Sequence, residues 1–227
     1  MALAACDGVT AAVIFDLDGV IVDSREAITT CLNHALRDGG HPERPASDLY
    51  RHIGPALADA FGELLELPRD DEAVVSCVAA YRRIYATESL RLTTLVGMAE
   101  VLGRLDARKG IASSKPVAFS EPILEQLGIR HHFEVVAGPD LNPFGETKTT
   151  TIATALETLG RPAVMVGDRR HDVDGAHANG IECVGVTWGI GTESELVAAG
   201  ADAIVHRPSD LQGWSSDRSP GTLPAGL

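Results

Sequence analysis

From residue 95 onward, short apolar runs alternate with stretches of helical periodicity, and this rhythm constrains the fold more than any other feature of the chain. The pattern predicts helix 96–105, strand 109–113, helix 117–127, strand 133–137 and helix 147–159. It continues with strand 163–166, helix 172–179, strand 182–186, helix 193–199 and strand 203–205. Runs such as Ala163-Val164-Met165-Val166 are apolar at every position, as suits strands covered on both faces. Strand–helix repetition of this kind makes a parallel sheet with helices on either side. An earlier run, Ala11 to Phe15, stops abruptly at Asp16 and reads as one more buried parallel strand.

No strand-like run follows it until about residue 92. Ala27, Ile28, Cys31, Leu32, Ala35 and Leu36 keep a 3.6-residue period up to Gly39-Gly40, with Asp23 or Ser24 placed to cap that helix. Two further helical patterns run from Leu57 to Leu65 and from Val74 to Arg82. The expected organisation is an α/β chain. Its three-layer core comprises residues 11–23 and 93–212, and an all-helical insert occupies 24–92. Residues 213–227 hold Gly, Pro and Ser without periodicity and are expected to form a disordered tail.

A length of 227 residues suits one core with a modest insert. The formal net charge of −13 repels polyphosphate backbones and anionic lipid, and an aromatic content of 4% leaves little surface for stacking bases. Nucleic acid polymers are therefore not expected partners. No run approaches the ~18 apolar residues of a membrane span, so no membrane role is expected either. Cys6, Cys31, Cys77 and Cys183 are scattered without a CxxC pair, and the eight histidines show no HxH or HExxH spacing. Reduced thiols and a cytoplasmic location are the expectation.

Sheets of this class bind ligands beyond the carboxyl ends of their strands. The polar residues of this chain gather there. Asp16 and Asp18 follow the first strand, Ser113 closes the second, and Asp168 to Asp172 follow the fourth. Asp16-Leu17-Asp18-Gly19 also reads as plain turn chemistry, Ser113 as a turn serine and Lys148 as a solvated helix lysine. Two acidic clusters at one sheet edge, however, concentrate negative charge that costs energy unless a cation lies between them. Carboxylate and carbonyl oxygens suit a hard six-coordinate ion, Mg²⁺, and no soft ligand competes. Lys148, at a helix start among five threonines, and Ser113 add donors for phosphate oxygens.

Asp16 to Ser24, Ser113, Lys148 and Gly167 to Asp172 resemble the four motifs of the haloacid dehalogenase superfamily, in order and with gaps of 97, 35 and 20 residues. The first gap holds a helical insert where that family's helical cap lies. The resemblance covers residues 11–211 and implies a Rossmann-like core carrying a cap domain. It makes Asp16 the nucleophile that forms an aspartyl-phosphate, and Asp18 the acid and then base. Ser113 and Lys148 would hold the phosphoryl group. It places Mg²⁺ on Asp16, on Asp18 through its backbone carbonyl, and on Asp168, with Asp172 in support. An acid at position 18 points to phosphatase or phosphomutase chemistry.

Arg51-His52-Ile53-Gly54-Pro55 resembles the cap loop that closes over the leaving group in phosphoglycolate phosphatases and 5′-nucleotidase-like members, and also reads as an interhelical turn. Arg51, His52 and Gly54 are the candidate substrate-loop residues. Lys148 is followed by Thr149, where phosphoglycolate phosphatases and β-phosphoglucomutases typically carry proline. The resulting expectation is a Mg²⁺-dependent phosphomonoesterase for a small metabolite such as a nucleoside 5′-monophosphate. The alternatives are phosphoglycolate phosphatase, a sugar phosphomutase, and a catalytically silent phosphate-binding protein.

Overall fold

The computed structural model describes residues 11–141 and 147–213; the tail expected from 213 onward therefore lies, after Gly213, outside the described residues. Six parallel strands form one sheet: β1 (Ala12–Phe15), β2 (Arg108–Ala112), β3 (Val135–Ala137), β4 (Ala163–Gly167), β5 (Glu182–Val186) and β6 (Ala203–Val205). Their order is β3-β2-β1-β4-β5-β6, the doubly wound Rossmann-like arrangement. The winding order reverses between β1 and β4, so a crevice opens at their carboxyl ends. The register pairs Phe15 with Ile111 on one side and Val166 on the other.

Side-chain alternation builds two cores from the same strands. Val13 and Phe15 of β1 face one apolar cluster, while Ala12 and Ile14 face the other. Helices α7 (Lys148–Leu159), α8 (Arg170–Ala178) and α9 (Glu193–Ala199) cover the Ile14 face through Ile152, Leu156, Val173 and Leu196. Helices α5 (Met98–Arg104) and α6 (Val117–Gln126) cover the Phe15 face through Met98, Leu102, Ile123 and Leu124. Both faces are dry, which is why β1 and β4 can be apolar throughout.

Helices α1 (Arg25–Asp38), α2 (Ala46–Leu49), α3 (Leu57–Leu65) and α4 (Glu72–Glu88) all fall between β1 and β2. Their apolar faces, including Leu32, Phe61, Tyr81 and Tyr85, run into the Phe15-side cluster. The incoming and outgoing segments are laced together. Val22 bridges Thr94 antiparallel, Leu95 N–H donates to the Ile21 carbonyl at 2.8 Å, and Asp23 N–H donates to Thr93 at 3.3 Å.

Local differences from the sequence pattern have local causes. Helix α2 and a 3₁₀ turn at Tyr50–His52 are too short to show a period. A further 3₁₀ turn at Arg130–His132 delays β3 by two residues. Helix α8 starts two residues early because Asp172 Oδ2 accepts the Arg169 N–H at 3.0 Å. At α1, Ser24 is the N-cap residue but makes no capping bond; Asp23 Oδ1 instead accepts the Arg25 N–H at 3.3 Å.

Two glycines test the packing. A Cβ on Gly110 in β2 would lie 2.8 Å from both Leu159 Cδ1 and Val135 Cγ1, whereas one on Gly103, in α5, meets nothing within 4 Å. Gly110→Ala should cost about 1–3 kcal/mol through overpacking, and Gly103→Ala should stabilise by about 0.4–1 kcal/mol. Urea denaturation midpoints of the two variants check both signs.

Candidate active site

The parallel register delivers Asp16 and Asp168 to the same place. Asp16 extends β1 by one residue, and its N–H still donates to Val166 of β4 at 3.0 Å. Asp168 follows β4 directly. Beyond Asp16 the chain turns sharply, with Ile21 and Val22 N–H groups both donating to the Leu17 carbonyl. Gly19 makes that turn with φ +80°, and a Cβ there would lie 2.4 Å from Asp168 Oδ2. Only glycine allows both the backbone angle and the approach.

Lys148 is the first residue of α7, whose N-cap Thr147 accepts the Thr150 N–H. Its buried ammonium reaches the Ala112 carbonyl at 3.0 Å, Asp16 Oδ1 at 2.8 Å and Asp172 Oδ1 at 2.9 Å. Asp172 Oδ2 accepts the N–H groups of Asp168 and Arg169, each at 3.0 Å. Asp168 Oδ2 is fixed by Ile190 N–H at 2.5 Å and Gly191 N–H at 3.3 Å from the loop after β5. Asp168 Oδ1 is buried and has no hydrogen-bond partner among the described residues.

Asp16, Asp168 and Asp172 thus bring oxygens within 4.8 Å of one another, with one lysine among them. Burial pushes the Asp16 carboxyl up to about 6; Lys148 opposes this, and Asp172 and Asp18 reinforce it. Burial, with Asp172 and Asp16 as repelling neighbours, pushes Asp168 up to about 8. Burial by itself lowers Lys148, but Asp16 and Asp172 more than reverse this and leave it raised. An excess of buried carboxylates, all hard oxygen donors, with one oxygen left unpartnered, fits a divalent cation.

Asp18 does not join this cluster through its carboxylate. Its Oδ1 pairs with Lys115 Nζ at 2.6 Å, and it lines a cavity of about 60 Å³ with His52, Gly54, Tyr85, Lys115 and Phe119. A second cavity, about 230 Å³, lies beside Lys148, Thr147, His171 and Arg69; Gly54, Pro55 and Ser114 line both.

The other sequence candidates separate. Ser113 is buried at the end of β2, where its Oγ accepts the Lys115 N–H at 3.2 Å; Ser114, not Ser113, lines the cavities. His52 is 3% exposed, and burial, then the neighbouring Arg51 charge, lowers its pKa. Arg51 is exposed and lines neither cavity; its Nε donates to His52 Nε2 at 3.2 Å. Gly54 keeps its place in the loop with φ +109°.

Four contacts are absent from the sequence reading. Lys115 meets Asp18 and the Tyr85 hydroxyl, and Arg169 donates to the Ile53 carbonyl while its Nε pairs with Glu195 at 2.9 Å. Lys115 follows a strand end by three residues, which is the one available signal. Tyr85 looks like any core position of an amphipathic helix.

The model of the haloacid dehalogenase-like hydrolases matches residues 13–186. The chain is 37% identical over 203 residues to the tyrosine-protein kinase PtkA of Mycobacterium tuberculosis, covering 86% of this chain and 68% of that protein. Identity to a 5′-nucleotidase of Pseudomonas aeruginosa is 33% over 193 residues, covering 82% and 86%. Among solved structures, a predicted phosphatase from Clostridium acetobutylicum superposes with a TM-score of 0.84 at 32% identity, covering 91% of this chain and 98% of that one. No helix among the described residues is long and apolar enough to cross a membrane.

The raised acids set a pH dependence. Asp168 holds its proton up to about 8 in the folded chain, against 3.8 as the ordinary value. The native state therefore binds more protons than the unfolded one across that window, and stability from this group is lost as pH rises through it. A cation that binds the ionised carboxylates offsets the loss. The difference in Tm between excess Mg²⁺ and EDTA should grow from pH 5 to pH 8 and then level off, as calorimetry would read. A difference that shrinks with pH contradicts a carboxylate cation site.

Proposed function

Because the chain belongs to the haloacid dehalogenase-like hydrolases and is a phosphatase of that family, we propose that it hydrolyses small phosphate monoesters with Asp16 as nucleophile and Asp18 as acid–base. One observation carries this assignment. Two carboxylates two residues apart face different surroundings, Asp16 among Lys148, Asp168 and Asp172, and Asp18 a separate cavity beside Lys115. Divergent environments for paired acids fit divergent roles.

In the first step an Asp16 oxygen attacks phosphorus, the bond to the leaving oxygen breaks, and the Asp18 carboxyl gives that oxygen its proton. In the second, the Asp18 carboxylate takes a proton from water as that water attacks phosphorus, releasing phosphate and restoring Asp16. Lys148 orients Asp16 and offsets phosphoryl charge, and Ser113 supplies a further donor at the end of β2. Asp16, the Asp18 carbonyl and Asp168 would hold Mg²⁺, with Asp172 supporting through Lys148. When bound, the ion would neutralise charge between carboxylate and phosphoryl oxygens.

Residues 24–92 act in this reading as a cap, pivoting where residues 21–23 run beside 93–95. The cavity beside Asp18, about 60 Å³, is the smaller of the two that Gly54 and Ser114 line. A leaving group of a few atoms fits with the insert in place, and a nucleoside needs it displaced. Nucleoside 5′-monophosphates, suggested by the 5′-nucleotidase relative, come first in the substrate panel. Phosphoglycolate and sugar phosphates follow.

Phosphate release from that panel, with Mg²⁺ and with EDTA, tests the reading. Asp16→Asn should remove at least about 10³-fold of kcat, and chelation should silence the native enzyme. Asp18→Asn should keep Mg²⁺ binding by calorimetry while losing about 10²–10⁴-fold on alkyl phosphates. Undiminished turnover by Asp16→Asn rules out the covalent route.

A further inference from the structure

Lys115 is an expensive residue to bury. Its side chain is 6% exposed, and its partner Asp18 is 12% exposed. Partly desolvated ion pairs of this kind are weak sources of stability, since apolar replacements often serve as well or better. The ammonium holds two acceptors from separate parts of the chain: Asp18 Oδ1 in the turn after β1, and the Tyr85 hydroxyl on α4 of the insert.

Tyr85 is itself wedged between the two parts. Its ring stacks on Tyr81 of α4 at 5.2 Å and 13°, and meets Phe119 of α6 edge-on at 5.6 Å and 86°. Burial raises its phenol well above the ordinary value, so it stays a neutral hydroxyl. The ammonium is 4.6 Å from the ring centroid and meets the ring at its oxygen. Displacing α4 therefore takes away one of the two groups that hold Lys115.

Lys115 thus holds one oxygen of Asp18, a residue that lines the cavity, and itself lines the same cavity. Asp18 pairs with this lysine and is not one of the three clustered acids, Asp16, Asp168 and Asp172.

We propose that Lys115 and Tyr85 are positioning residues for Asp18: the Lys115 ammonium aims the carboxylate at the leaving-group side, and the Tyr85 hydroxyl holds that ammonium in place only while the insert is seated. The proposal rests on the acid–base role given to Asp18 above. It makes insert closure a condition for proton transfer, and not only for substrate choice. The phosphoryl group itself is handled elsewhere, by Asp16 and Lys148.

The test uses the full chain and two esters, an alkyl phosphate whose leaving oxygen needs a proton and p-nitrophenyl phosphate, whose leaving group departs without one. Misplacing a catalytic group by about 1 Å costs about 10²-fold. Lys115→Met should therefore lower kcat/KM, which reports the first transfer and not hydrolysis of the shared aspartyl-phosphate, by about 10²-fold on the alkyl ester, with far less loss on p-nitrophenyl phosphate. Lys115→Arg should recover most of that loss. Tyr85→Phe, which keeps the ring and removes one oxygen, should show the same ester dependence at smaller size, and it carries the test should Lys115→Met fail to fold by thermal melting. In the double variant Asp18→Asn/Lys115→Met the losses should fall well short of multiplying, since both act on one group. Equal losses on the two esters, or none, overturn the positioning role, provided Asp18→Asn alone discriminates between them. If Asp18→Asn itself does not discriminate, the acid–base assignment fails instead.

Discussion

Everything at the carboxyl edge of the sheet depends on one ammonium group. Lys148 meets the end of β2 through Ala112, the end of β1 through Asp16 and the first turn of α8 through Asp172, all within 3.0 Å. One carbonyl and two carboxylate oxygens thus surround a group that carries three N–H donors. Remove that charge, and three buried carboxylates face one another across less than 4.8 Å. Even with it, burial and mutual repulsion raise Asp16 and Asp168, so the site keeps an appetite for positive charge. A phosphatase needs that imbalance, because a carboxylate attacks a phosphate dianion only where charge has been neutralised.

The sheet makes this concentration of charge possible by supplying backbone donors at fixed positions. Asp168 and Asp172 each accept two N–H groups, from residues 190–191 and 168–169 respectively. Such donors come from the segments that directly follow β4 and β5. Glycine at position 19 then lets the turn after β1 close over Asp168 without collision. The insert is tied to the same edge by longer-range contacts: Arg169 to the Ile53 carbonyl, and Lys115 to Tyr85. Gly54 of the insert and Ser114 of the core line both cavities where the two parts meet.

The strands and most helices were readable because their periods follow from geometry alone. Both faces of the sheet are covered, so the strands are uniformly apolar, and β5, β6 and α9 begin and end where the pattern places them. Asp16, Asp168 and Lys148 were readable for a related reason: a polar residue that ends a buried strand or opens a helix falls at the ligand edge of a parallel sheet. Elements of three or four residues, such as α2 and the 3₁₀ turns, carry no period and left no trace. Arg51 and His52 show the limit within one loop. Their order in the chain is plain, but which side chain turns inward is decided by a 3₁₀ turn and by packing. The buried one is His52, and Arg51 contacts it from outside.

By itself the sequence determined the parallel sheet, the helical insert and the set of acids at the strand ends, since each follows from local periodicity and from where a buried strand must stop. Tertiary structure alone decided how those acids divide. Asp16 and Asp18 are two residues apart, yet one faces Lys148 and the other Lys115, which lies 97 positions further along the chain than Asp18. Tyr85 joins them from a helix whose periodicity marks it only as core. Charge partners are set by distance in space, and a chain of this topology brings together residues whose separation in sequence carries no record of the contact.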